Sequence, residues 1–276
     1  MTPVSSPSRD VAPGLPRWAL VLAGVGLLVI AGPMLALVLR APWATLPSLL
    51  VSHTALSALG LSLITALAAT IGCLIIGLPT ALVLARTNSR LGGVLRAVFL
   101  VPLVLPPMVS GLALLLLLGR RGLAGQPLAA LTGVTLPFTT TAVVIAQTFV
   151  ALPFLVVTAE GALRAAGQDY ERTAASLGAR PGRVLRTVTL PLLMPALRTG
   201  VVLCFARALG EFGATALFAG NLPGVTQTMP LAIYQAFNGA GVGQDVALAM
   251  SLLLVVVALL LLGVSGLVGR PVIRHD

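Results

Sequence analysis

The stretch RAAGQDYERTAASLGARPGRVLRTVTLPLLMPALR, Arg164 to Arg198, is the one long polar island in a chain of hydrophobic runs. It holds six of the 17 arginines and two of the seven acids. On either side lie apolar runs of about 20 residues, the length that crosses ~30 Å of hydrocarbon. A chain that keeps so much charge in one connector between such runs reads as a membrane protein with a docking surface. What docks there decides the function.

Composition sets the class. The 276 residues are 58% hydrophobic and 9% charged, with mean hydropathy +1.06, whereas a soluble domain carries about 25% charged residues to cover its solvated surface. The expectation is an all-α integral membrane protein of about six transmembrane helices. All 17 basic residues are arginine. A P-loop needs a lysine to reach the β- and γ-phosphates, so the chain is not a standard P-loop ATPase, and any ATP-derived energy has to come from another subunit. The net charge of +10 sits beside apolar spans rather than on an aromatic-interleaved face, which argues for topology and against nucleic acid.

Cys73 and Cys204 fall inside apolar spans with no metal-ligand spacing and read as packing residues. His53 and His275 are isolated, so no metal site is expected. The N-terminal MTPVSSPSRDVAPGLPR is a polar tail. The apolar run after it is too long for a signal-peptide core and is expected to be a retained first span.

Six spans are expected, at Trp18–Leu39, Ala55–Ala85, Ala97–Leu118, Pro137–Ala159, Thr199–Gly220 and Val246–Val268. Residues 18–270 form the membrane domain, with a connecting loop at 161–198 and polar tails at 1–17 and 271–276. The second span is long and contains Gly72, Gly77 and Pro79, which predicts tilt or a bend. The third contains VPLVLPPMVSG, where Pro102, Pro106 and Pro107 interrupt the helical hydrogen bonds. Broken backbone at membrane depth survives only against other helices or a wet cavity. With the N-terminus inside, thirteen arginines face the cytoplasm and three (Arg40, Arg120, Arg121) face outward. That bias places both termini and the island in the cytoplasm.

Within the island, Gln168–Ala179 is expected to be a short helix capped by Asp169 and ended by Gly178. Pro181 and Gly182 turn the chain, and Arg183–Thr189 restarts a helix. Taken alone, this also describes a solvated connector whose arginines merely set orientation. The spacing adds more: Gly178 is followed by nine residues and then Val188-Thr189-Leu190-Pro191, and preceded by Ala174-Ala175-Ser176-Leu177. This resembles the EAA loop of ABC-transporter importer permeases, E-A-A-x3-G-x9-I-x-L-P. Ala174, Gly178, Leu190 and Pro191 match in register, and Val188 stands for the isoleucine. The first Glu falls on Arg172 and the first Ala on Thr173, with Glu171 one position earlier.

The resemblance implies a type I ABC importer permease fold whose island is a coupling helix for a cytoplasmic ATPase. Glu171, Arg172, Ala174, Ala175, Gly178, Leu190 and Pro191 become its ATPase-coupling candidates. ATP and Mg would be bound by that partner, with no cofactor in this chain.

The fifth span reads GVVLCFARALGEFGATALFAGN. Arg207 and Glu211 are the charges placed deep in an apolar segment, and Glu211 is the one embedded acid expected. Such charges face the bundle interior and mark a pathway or a pair. Arginine N-terminal to glutamate is the poorer i,i+4 order. A structural or gating pair is favoured over a substrate site, with Phe212, Thr215, Pro106 and Pro107 as further pore or gate candidates. After it, GNLPGVTQTMPLAIYQAFNGAGVGQD is expected outside, with Met229–Phe237 dipping back into the membrane or covering the pore. Thr226, Gln227 and Thr228 could donate hydrogen bonds to an oxyanion, and equally suit an ordinary loop.

The segments ARALGEFGAT, AGNLPGVTQTMPLAIY and VPLVLPPMVSGLALLLLLGRRG look like the molybdate permease family, with sulfate, thiosulfate and tungstate permeases as near alternatives. The resemblance covers about Ser52 to Arg270. It implies a bacterial inner-membrane assembly: two copies of this chain, two ATPase subunits and an external oxyanion-binding protein. An ion-gradient-driven transporter is the rival from another class, and a single embedded carboxylate beside an arginine is a poor relay for it. A membrane-embedded enzyme would need a catalytic cluster at membrane depth, which the sequence does not offer.

Overall fold

The computed structural model describes residues 17–239 and 243–268. Of the expected tails at 1–17 and 271–276, all but Arg17 lie outside the described residues, as do Arg270 and the end of the expected membrane domain at 269–270. The chain divides into two compact units, Met1–Ala41 and Pro42–Asp276, where the sequence groups 18–270 as one domain. In the first unit, α1 (Arg17–Leu39) bears no charged or polar side chain after its first residue. It coincides with the first expected span.

The second unit is helical throughout, with no strand among the described residues. A short α2 (Leu46–Leu50) precedes α3 (His53–Arg86). Ser52 caps α3 by accepting the Ala55 N–H at 3.3 Å, which satisfies one of the four orphan donors at a helix start. At ~1.5 Å per residue, its 34 residues span about 50 Å, well beyond the hydrocarbon thickness, so the helix must tilt or protrude. Ser89 caps α4 (Arg90–Val104) in the same way, and Thr139 caps α7 (Thr140–Ala166).

The third expected span is not one helix. It breaks at Leu105-Pro106 into α4 and α5 (Pro107–Leu118), bent by 116°. Two consecutive prolines remove two N–H donors, and the residue before a proline is pushed to extended backbone; Leu105 has φ −67° and ψ 134°. A short α6 (Gly125–Thr132) then leads to α7.

The fifth span also departs from expectation. Past α8 (Asp169–Ser176) and α9 (Pro181–Val184), a π-helical turn (Leu185–Thr189) runs directly into α10 (Leu190–Leu209). The spanning helix therefore begins inside the polar island, at Pro181, and stops at Leu209 instead of Gly220. Gly210-Glu211-Phe212 breaks it before α11 (Gly213–Phe218). The remaining elements are α12 (Met229–Phe237), at the expected apolar piece, and α13 (Gln244–Val268).

The core is the seam between α3, α7 and α10. Ala66, Ala69, Cys73, Ala151, Cys204 and Ala208 are all fully buried there. In lipid no hydrophobic drive holds helices together, so close backbone approach through small side chains supplies the packing. Gly77 shows how close: a Cβ placed on it would lie 3.0 Å from Leu155 Cδ2. Both cysteines are buried at this seam, packing as their apolar surroundings suggest. A second cluster joins α5, α7 and α11 around Phe218, Val143 and Leu114.

Candidate functional site

The polar island folds into a compact corner. Asp169 and Glu171 occupy the first turn of α8, where negative charge suits the positive end of the helix dipole. The N-cap is Gln168, without a side-chain cap hydrogen bond. Asp169 thus sits one residue inside the expected capping position. Its backbone carbonyl accepts the Thr173 hydroxyl.

The end of α8 is a Schellman turn. The Gly178 N–H donates to Ala175 O at 2.9 Å and the Ala179 N–H to Ala174 O at 3.1 Å, the paired 5→2 and 6→1 bonds of that motif. Gly178 has φ +84°, a conformation that costs any L side chain because its Cβ crowds the carbonyl. Around its Cα there is open space, so the backbone conformation, not crowding, requires glycine. Ala174 and Ala175 lie on the same short helix, of which no residue is buried.

Leu190 and Pro191 mark the re-entry into the bundle. The Leu190 N–H reaches back five residues to Leu185 O, closing the π turn. Pro191 supplies no N–H at the next position. Such a turn is a local widening of the helix, and these widenings recur at functional sites.

Glu171 and Arg172 part company. Arg172 is exposed and donates only to Gln168 Oε1 at 3.4 Å on its own helix. Glu171 points inward: it accepts the Arg86 guanidinium on both oxygens at 2.9 and 3.0 Å and the Thr189 hydroxyl at 2.5 Å. Next to this contact is an acid that the sequence reading missed. Glu160, with its side chain 7% exposed, accepts from Arg96 Nε at 2.8 Å and Arg164 Nε at 2.9 Å. Arg164 also donates to Leu84 O at 3.0 Å. Glu211 is therefore not the only embedded acid. The signal was present in sequence, since Glu160 and Arg164 have the favourable i,i+4 order; the expected span ended one residue too early to include it. The Arg96 and Arg86 partners lie 64 and 85 residues from their acids and have no local signature.

A second polar site lies at the α10–α11 break. Arg207 and Glu211 form an ion pair at 2.6 Å, with the glutamate side chain 1% exposed. They do not share one continuous helix as expected, because α10 ends between them. The broken geometry lets Glu211 Oε1 accept the Ala214 N–H at 2.8 Å, so one carboxylate neutralises an arginine and caps α11. Phe212 beside it contacts the Tyr234 ring, centroids 5.0 Å apart.

Pro107 is brought to the same place. A Cβ on Gly213 would fall 2.7 Å from Pro107 Cβ, so the start of α5 lies directly on the start of α11. Thr215 is fully buried on α11. Pro106, Pro107, Phe212 and Thr215 thus gather around the two helix breaks.

Thr226, Gln227 and Thr228 lie elsewhere. All three are buried. Thr226 Oγ1 accepts the Leu222 N–H at 2.9 Å, and the Gln227 amide donates to Gln235. The next residue, Met229, donates its N–H to Ser62 Oγ at 2.7 Å. In this conformation Thr226 and Gln227 brace the loop, while the buried Thr228 hydroxyl has no hydrogen-bond partner.

A family model described as the inner membrane component of binding-protein-dependent transport systems matches residues 74–270. The chain is 52% identical over 252 residues to the molybdenum transport system permease protein ModB of Mycobacterium tuberculosis, covering 91% of this chain and 94% of that protein. Against ModB of Escherichia coli K12, identity is 38% over 194 residues, covering 70% and 84%. Among solved structures, a bacterial ABC transporter importing the acidic polysaccharide alginate superposes with a TM-score of 0.66 at 17% identity, covering 93% and 96%. The MetNI methionine ABC transporter in an inward-facing conformation gives 0.60 at 19%, covering 88% and 99%. These likenesses establish the fold as that of ABC importer permeases. With its island, its two broken spans and this match over most of its length, the chain belongs to the family of inner membrane components of binding-protein-dependent transport systems.

Proposed function

We propose that this chain is the translocation subunit of an ATP-driven importer of molybdate. The observation that carries the reading is the island's fold: a short exposed helix, a glycine-dependent turn and a π turn leading directly into a spanning helix. An exposed helix that buries no residue of its own and joins a membrane span without a flexible linker suits the transfer of movement from a docked partner. The substrate rests on the relatives named for molybdenum transport.

In this reading the island faces the cytoplasm and both termini lie on that side of the inner membrane. Two copies of the chain form the pathway, two ATPase subunits that bind ATP and Mg dock on α8 and its neighbours, and an external binding protein selects the anion. Exposed Arg172, Arg180, Arg183 and Arg186 offer the docking face its charge. The chain itself breaks no bond. Its task is to open one cavity alternately to each side, and the proline break at α4–α5 and the Glu211 break at α10–α11 are the places where its spans are already interrupted.

The test is uptake by vesicles holding the assembled transporter, with ATP inside and loaded binding protein outside. Molybdate should accumulate only with ATP, and excess sulfate should compete weakly. Uptake that follows an ion gradient without ATP would defeat the importer reading. Preferential sulfate uptake would defeat the substrate assignment alone.

A further inference from the structure

Resting on that function, the contacts of Glu171 lead to a sharper role for it. No residue of α8 is buried, and Tyr170 beside Glu171 stays 66% exposed. Apolar packing therefore ties α8 only loosely to the bundle. Glu171 and Ala174 are the half-buried residues of α8; the Glu171 side chain is 19% exposed and its carboxylate turns toward α3 and the π turn.

Its two partners belong to different elements. Arg86 is the last residue of α3. Thr189, 2% exposed, is the last residue of the π turn. One carboxylate thus joins the docking helix to the end of one span and to the loosely wound start of another.

From α3 the polar contacts continue. Leu84, two residues before Arg86, holds Arg164 of α7 through its carbonyl at 3.0 Å. Arg164 and Arg96 of α4 share Glu160. Since α4 leads to the 116° break and α5, a displacement of α8 has a path of direct hydrogen bonds to α10 on one side and to α4 on the other. Hydrogen bonds between ionised groups are the shorter and stronger kind, and here a single Arg86 nitrogen, Nη2, reaches both Glu171 oxygens.

We propose that Glu171 is a positioning residue that latches α8 to α3 and to the π turn, so that movement of the docked ATPase is transmitted into the bundle. It does not serve as a contact for the ATPase itself. Arg172, exposed one position later, is left to meet the partner.

The readout is the number of ATP molecules hydrolysed per molybdate imported by the reconstituted transporter. Glu171→Gln keeps the shape and loses the charge; it should raise that ratio on the order of tenfold, the scale of a typical coupling free energy. Thr189→Val removes only the second arm and should raise the ratio severalfold. The double variant should be no worse than Glu171→Gln, because both changes act on one link. Exchanging the charges in Arg86→Glu/Glu171→Arg should recover part of the lost coupling.

A ratio equal to wild type in Glu171→Gln overturns the latch. So does a parallel loss of hydrolysis and uptake, which would mean that Glu171 serves only docking or folding. If Glu171→Gln does not accumulate in the membrane, Thr189→Val alone decides, and an unchanged ratio there overturns the proposal. A wild-type transporter without ATP-driven molybdate uptake would instead overturn the functional reading, and the latch with it.

Discussion

Two acid–arginine sites in this molecule use the same chemistry at different range. At the α10–α11 break, Arg207 and Glu211 are four residues apart and the carboxylate caps the next helix. At the island end, Glu160 and Glu171 gather Arg86, Arg96 and Arg164 from α3, α4 and α7. The first site is local and deeply buried; it stabilises a kink. The second adds partners 64 and 85 residues away, with arginine side chains 33–51% exposed around a buried Glu160, and it fastens one element to another. Burial gives the first its energetic weight, and connectivity gives the second its mechanical reach.

The comparison is broken most forcefully at Arg207. Arg207→Ala leaves a carboxylate that is 1% exposed without its counter-ion, and stripping one partner from a buried pair costs about 3–5 kcal/mol. Thermal unfolding of the purified permease in detergent should show that loss. Exchanging the two charges should recover more stability than either single alanine change, though not all of it, since an arginine at 211 cannot accept the Ala214 N–H. Recovery no better than the single changes would mean that the two do not act as a pair.

Glu160→Ala is the matching experiment at the island end. It frees two arginines whose side chains are 33% and 39% exposed and can find water, so its cost should be smaller, about 1–3 kcal/mol for the charged hydrogen bonds lost. A loss equal to that of Arg207→Ala would remove the distinction drawn between the sites.

Gly178→Ala isolates the turn between them in chain order. A Cβ meets nothing there, so only the φ of +84° is penalised, by about 1–2 kcal/mol. The expected result is intact membrane insertion with weaker ATPase retention on an affinity column. Gly178→Trp should release the ATPase further, and unaltered assembly and transport in that variant would discard the coupling-helix assignment.

The smallest effect is expected at Arg172, which is exposed and bound only within its own helix. Arg172→Glu should leave stability within ~0.5 kcal/mol and change the salt dependence of ATPase association, as rim charges do. A large loss of stability would place Arg172 inside the fastening network instead of on the docking face.

What could be read in advance follows the same division. The Arg207–Glu211 pair, the Gly178 turn and the α12 segment are set by neighbours a few residues apart, and their signals are local. The expected span boundaries failed where a local signal was outweighed. Hydropathy carried the fifth span to Gly220, but Glu211 stops α10 by capping a new helix. Of the three prolines of the third span, Pro102 stays inside α4 and Pro106 and Pro107 mark the break; its 116° angle and the packing of Pro107 on Gly213 emerge only in the fold. For Thr226 and Gln227 the sequence left a donor role and an ordinary loop role equally open, because their partners, the Leu222 N–H and the Gln235 side chain, are chosen by the fold of the loop.

By itself, the sequence determined that this chain lives in a membrane, roughly how often it crosses, and that its polar island ends a short helix at Gly178. Apolar length, arginine bias and glycine chemistry are properties of short stretches, so they survive without a structure. The tertiary structure decided which way Glu171 points, that Glu160 shares its end of the bundle, and that two interrupted spans meet at Pro107 and Gly213. Those depend on residues 64 to 106 positions apart being brought within contact, and a carboxylate in a poorly solvating environment takes whichever cation the packing of helices delivers.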